Sequence, residues 1–67
     1  MHVHDIDVLR AALAMIQHHG PYALQRAMTH IDNFWKAEDM IGLFAWTFIA
    51  DAIKELRRVR RNDEPLN

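Results

Sequence analysis

Glycine and proline, the residues that most often break helices, interrupt this 67-residue chain at very few points. The two types are adjacent once, at Gly20-Pro21, directly after a pair of histidines. Glycine is favoured just past a helix C-terminus, and proline suits the first position of the next helix. The pair therefore predicts a tight break between a first helix over residues 5–19 and a second helix over residues 21–37.

Apolar residues recur at helical spacing on both sides of this break. They are Leu9, Ala12, Leu13 and Ile16 before it, and Leu24, Ala27, Met28, Ile31, Phe34 and Trp35 after it. Spacings of three and four residues place side chains on one face of a helix, whereas a half-buried strand would alternate with period two. Either Asp5 or Asp7 is expected to cap the N-terminus of the first helix.

A third helix, the longest, is predicted over residues 39–61, with Asp39 as its N-cap. Its core stripe consists of Gly42, Trp46, Ile49, Ile53 and Leu56, with alternating spacings of four and three. A glycine inside a helix costs about 1 kcal/mol relative to alanine. We therefore expect Gly42 to mark a close approach between two helices.

These elements predict an all-α fold in a single small domain, residues 1–67, with frayed ends at 1–4 and 62–67. Because the connections are short, consecutive helices should be antiparallel. The expected core consists of Leu9, Leu13, Ile16, Leu24, Met28, Ile31, Trp35, Trp46, Ile49, Ile53 and Leu56.

The third helix is apolar around more of its circumference than one neighbour would cover. Outside its core stripe lie Ile41, Phe44, Ala45, Phe48, Ala52 and Val59. At 100° per residue they widen the apolar arc to roughly 200°, whereas an ordinary surface helix shows about 100°. Two shorter helices would leave part of this arc uncovered, so we expect a partner surface there. Its expected anchors are Ile41, Phe44, Phe48 and Val59.

The short length of the chain strengthens this expectation. Below roughly 70–80 residues a hydrophobic core seldom contributes more than about 3–5 kcal/mol, and oligomerisation often adds the rest. With no cysteine in the chain, disulfides cannot contribute. The sequence therefore favours a protein-interaction module, an adaptor or small regulator, whose partners are a second copy of itself and another protein.

Several features favour the cytoplasm. A secreted protein of this size usually carries disulfides, and the N-terminus lacks the basic and apolar regions of a signal peptide. The longest apolar run, residues 40–50, is far shorter than the about 20 residues that a transmembrane helix needs.

Catalysis is poorly supported by this composition. The chain has neither serine nor cysteine, and Thr29 and Thr47 have no general base at a recognisable spacing. Glu38 and Asp39 stand at a helix start, where capping explains them. The five histidines show no metal-binding spacing. We expect no enzyme activity, metal or cofactor.

Nucleic-acid binding is the main alternative. Four arginines near the C-terminus could contact phosphates, namely Arg57, Arg58, Arg60 and Arg61. The net charge of −1 and the confinement of these cations to one helix end count against it. Cations at that end also stabilise the helix dipole. Attachment to a membrane surface through the apolar arc and the arginines is a further alternative.

The ordered pattern of the chain resembles a family of short uncharacterised helical proteins found widely in alphaproteobacteria. The shared residues are His19-Gly20, Ala23, Ala27, Ile31, Asp39, Gly42, Trp46, Ile49, Ile53 and Leu56, which span most of residues 8–58. Glu38 departs from the pattern, because glycine commonly precedes the aspartate, and this bears on the geometry of the second turn. The resemblance implies the same helix map and a bacterial cytoplasm, but no activity.

Overall fold

A computed structural model describes the backbone of residues 3–63 and the side chains of residues 6–58. Its three α-helices are α1 (Val3–His19), α2 (Ala23–Lys36) and α3 (Met40–Asp63). With 24 residues α3 is the longest of them, as predicted. The described range contains no strand, which confirms the all-α prediction.

The break between α1 and α2 differs slightly from the prediction. Gly20–Tyr22 form a 3₁₀ turn, so α2 begins at Ala23 and not at residue 21. The backbone N–H of Ala23 donates to the Gly20 carbonyl and closes this turn. Gly20 has a φ of 55°, the left-handed conformation that glycine commonly adopts directly after a helix C-terminus.

The outer helix ends also differ by two residues each from the predicted bounds. α1 begins at Val3, so positions 5 and 7 lie inside this helix and the prediction that Asp5 or Asp7 caps it is wrong. α3 continues to Asp63. Residues 1–2 and 64–67 lie outside the described range, so fraying of the two ends remains a prediction.

Two backbone hydrogen bonds form the turn between α2 and α3. The N–H of Asp39 donates to the Phe34 carbonyl at 2.9 Å, and that of Glu38 donates to the Trp35 carbonyl at 3.1 Å. This pair of bonds is the Schellman motif, which places Glu38 in the left-handed position that glycine usually occupies. Glu38 accordingly has a φ of 58°.

Asp39 closes this turn from the other side as the predicted N-cap of α3. Its side-chain Oδ1 accepts the Gly42 N–H at 3.1 Å, and its carbonyl accepts the Leu43 N–H at 3.0 Å. One residue therefore ends α2 with its backbone N–H and begins α3 with its carboxylate.

Two contacts show how α3 packs against α2. Phe34 lies over Gly42, where an added Cβ would fall 2.8 Å from the Phe34 Cγ. One turn away, the rings of His30 and Trp46 stack with centroids 4.2 Å apart. Since these contacts run in opposite order along the two helices, α2 and α3 are antiparallel. The close approach predicted at Gly42 is confirmed.

The core is built mainly from small side chains. Its buried residues are Ala12, Met15, Ala23, Ala27, Ile49, Ala50 and Ile53. Of the described residues, Ile53 is the only large one that is fully buried. Partly buried Ile16, Leu24, Ile31, Trp46 and Leu56 pack around this centre, in the region where the sequence placed them.

Four residues predicted for the core are exposed instead, and the prediction is wrong for them: Leu9, Leu13, Met28 and Trp35. The alanines of α1 and α2 occupy the helix contacts in their place. Small side chains at a contact allow two helices to approach closely, and their larger neighbours then lie at the edges of the contact.

Candidate interaction surface

One side of α3 carries large apolar side chains that remain in contact with solvent. Ile41 is 85% exposed, Phe44 56% and Phe48 48%. Their spacing of three and four residues places them on one side of the helix. We call these three residues the α3 face. Large exposed apolar patches on small proteins commonly mark interaction sites.

The α3 face is exposed because α2 packs against a different side of the helix. That side contains Gly42 and Trp46, which contact Phe34 and His30 of α2. A step of 100° per residue puts Phe44 and Phe48 roughly 160° from Trp46 around the helix axis. The wide apolar arc read from the sequence is thus only partly covered by the described chain.

A groove runs between α1 and α3 beside the α3 face. It has a volume of about 400 Å³. The lining residues are Asp7 and Val8 of α1 and Ile41, Phe44, Ala45, Phe48 and Ile49 of α3. Among these residues Asp7 alone is charged, so the groove suits apolar groups. We call it the α1–α3 groove.

The other predicted site residues are less informative. The side chains of Val59, Arg60 and Arg61 lie outside the described range. Arg57 is exposed, and the Arg58 Nη1 donates to the Glu55 Oε2 at 3.2 Å. A carboxylate beside Arg58 partly neutralises the positive charge that a phosphate would require.

Sequence reasoning missed further exposed apolar residues. On α1 these are Ile6, Leu9 and Leu13, and elsewhere Tyr22, Met28, Trp35 and Met40. The alanines at helical spacing were the available signal, since a stripe of small residues competes with a stripe of large ones for the helix contact. The α1 side of the groove was also missed, because it depends on how α1 meets α3.

The hydroxyls of both threonines are hydrogen-bonded within their own helices. The Thr29 hydroxyl donates to the Gln25 carbonyl at 3.1 Å, and that of Thr47 donates to the Leu43 carbonyl at 2.7 Å. Within residues 6–58 no polar or charged side chain is buried, and no three His, Asp or Glu side chains converge as metal ligands. In the described part of the chain, no helix is both long and apolar enough to span a bilayer.

No protein-family model matches this chain, and comparisons with curated proteins and with solved structures give no match. Its similarity to the alphaproteobacterial family therefore remains a prediction from the sequence pattern.

Proposed function

We propose that this protein is a non-enzymatic interaction module, an adaptor or small regulator, that forms a homodimer through the α3 face. The observation that carries the proposal is the exposure of Ile41, Phe44 and Phe48 beside an apolar groove. In water each of these side chains gains free energy by being covered. A second copy supplies an apolar surface of the same kind.

The small core gives a further reason for association. Fully burying a large apolar side chain contributes about 1.5–3 kcal/mol. Scaled by the exposed fractions of the three side chains, covering the α3 face on two copies contributes about 6–11 kcal/mol. Association itself costs about 4–15 kcal/mol, so covering the α3 face offsets much of this cost, and a stable dimer also needs the neighbouring contacts in the α1–α3 groove. Because only the folded chain would dimerise, the apparent stability of the fold should rise with protein concentration.

Three observations favour this function over the alternatives. The threonine hydroxyls bond to their own helices, and within residues 6–58 no buried titratable group offers the perturbed environment of a catalytic acid or base. Arg58 pairs with Glu55, which weakens the case for phosphate binding. We place the protein in the cytoplasm, on the sequence features given above.

The test is the molar mass of the protein in solution, measured by sedimentation equilibrium from low to high micromolar concentration. The wild-type mass should rise to twice 7.9 kDa. Phe44→Gln with Phe48→Gln should remain monomeric, since glutamine keeps the net charge and the helix propensity but removes the aromatic surface.

A matched control is Met28→Gln with Trp35→Gln, since these side chains of α2 are 52% and 64% exposed. This control should dimerise like the wild type. A wild-type protein that keeps the mass of one chain at high micromolar concentration would contradict the proposal. Equal dissociation of both variants would contradict the assignment to the α3 face.

A further inference from the structure

We infer that the α1–α3 groove of each copy receives the Phe44 and Phe48 rings of the other copy, which makes the dimer two-fold symmetric. This inference rests on the proposed homodimer and specifies how its two surfaces fit together. It also gives the groove a defined occupant, two phenyl rings from a second chain.

The volume of the groove fits this occupant. A cavity of about 150 Å³ lined by apolar side chains holds one benzene molecule. The α1–α3 groove, which is open to solvent on one side, has a volume of about 400 Å³, more than twice that of such a cavity and so large enough for two phenyl rings. Val8 and Ile49 supply aliphatic lining, and Phe44 and Phe48 of the receiving copy supply aromatic lining. Incoming rings would thus meet both aliphatic and aromatic partners, in the offset or edge-to-face arrangements that aromatic pairs prefer.

The same patch of the chain contains both the ridge and the recess. A two-fold interface uses one surface twice, so that surface must fit a copy of itself. Phe44 and Phe48 are four residues apart and form a ridge along α3. Residues of the same helix also line the groove, and one of them, Ala45, is exposed. A methyl side chain at that position allows two α3 helices to approach closely.

This arrangement locates the symmetry axis. Phe44 and Phe48 are centred near residue 46, and the α3 lining of the groove spans residues 41–49, which is centred near residue 45. In an antiparallel pair of α3 helices these centres face each other. The two-fold axis therefore passes close to Ala45, and the two copies of this residue are neighbours.

A second copy suits the groove for two reasons. Its Phe44 and Phe48 are 56% and 48% exposed, so both rings are available to enter an apolar recess. The net charge of −1 produces little repulsion between two copies. Asp7, the one charged residue among the described lining, lies at the α1 side of the groove and away from the axis.

Because the chain has no cysteine, an introduced cysteine can form a disulfide only with the same cysteine of a second copy. In full-length Ala45→Cys the two thiols should lie within disulfide distance, and mild oxidation should convert most of the protein to a covalent dimer. Ala37→Cys, an exposed alanine in the turn before α3, should remain mostly monomeric on a denaturing gel. Equal cross-linking of the two variants would overturn the inference.

A second variant tests the groove without cross-linking. Ala45→Leu should fill the groove from within and raise the dissociation constant at least tenfold, whereas Ala37→Leu should leave it within twofold. Because Ala45 is exposed, both variants should keep wild-type helix content by circular dichroism.

The outcomes separate this inference from the proposed function. If Phe44→Gln with Phe48→Gln abolishes a wild-type dimer that Ala45→Leu leaves intact, the α3 face mediates dimerisation and the groove inference is wrong. A monomeric wild type refutes both. A wild-type monomer whose groove binds a different protein would likewise refute a second copy as the occupant.

Discussion

Gly42→Ala is expected to destabilise the protein, although alanine is the better helix former. Replacing glycine by alanine inside a helix normally gains about 1 kcal/mol. Here the new Cβ would lie 2.8 Å from the Phe34 Cγ and closer still to the edge of that ring. Because Cγ is the ring atom nearest the backbone, the whole ring of Phe34 would have to move, and overpacking of this kind costs about 1–3 kcal/mol. We therefore expect a net loss of about 1 kcal/mol.

Thermal unfolding followed by circular dichroism at one fixed protein concentration measures this effect. A loss of about 1 kcal/mol corresponds to a melting temperature about 4–8 °C lower for a domain of this size. In a Phe34→Leu background the same substitution should become neutral or stabilising, because the ring that Cβ meets is gone. If Gly42→Ala raises the melting temperature of the otherwise wild-type chain, the close contact of α2 with α3 is refuted.

Three further predictions concern the turn between α2 and α3 and the arginines. Glu38→Gly should raise the free energy of unfolding by about 0.5–1 kcal/mol in urea denaturation, since glycine adopts the left-handed φ of 58° without strain; a decrease would contradict the strain assigned to this turn. Asp39→Ala should lower it by about 1 kcal/mol, and Asp39→Asn by much less, because asparagine still accepts the Gly42 N–H; equal losses would argue against capping. Fluorescence anisotropy should show no saturable binding of duplex DNA at low salt, because the net charge is −1 and the arginines are confined to one helix end; binding that weakens steeply with salt would favour the nucleic-acid alternative.

The parts of the fold that depend on local chemistry were predictable from the sequence. The left-handed Gly20, the N-cap Asp39 and the close approach at Gly42 each follow from one residue type and its neighbours. The sequence did not predict that Glu38 would adopt the left-handed conformation. Two Schellman hydrogen bonds, to the carbonyls of Phe34 and Trp35, hold Glu38 in this conformation.

The rotation of each helix about its own axis could not be predicted in the same way. Helical periodicity groups Leu9 with Leu13, and Met28 with Trp35, but it does not say whether the large or the small residues of an arc face the neighbouring helix. The buried Ala12 and Ala27 show that the small ones do. That choice depends on how closely the helices pack, which is a tertiary property.

The candidate site was likewise predictable only in part. The width of the apolar arc on α3 was enough to single out Phe44 and Phe48 as side chains that two short helices would leave exposed. The groove could not be predicted, because Asp7 and Val8 come from a helix more than thirty residues earlier in the chain.

Self-association through α3 is tested most directly by sedimentation equilibrium, which measures the molar mass of the wild-type protein and of the double variant Phe44→Gln with Phe48→Gln. We predict a two-chain particle for the native sequence and a one-chain particle of unchanged helix content for the variant. A molar mass of 7.9 kDa for the wild-type protein at every concentration measured would contradict self-association through α3.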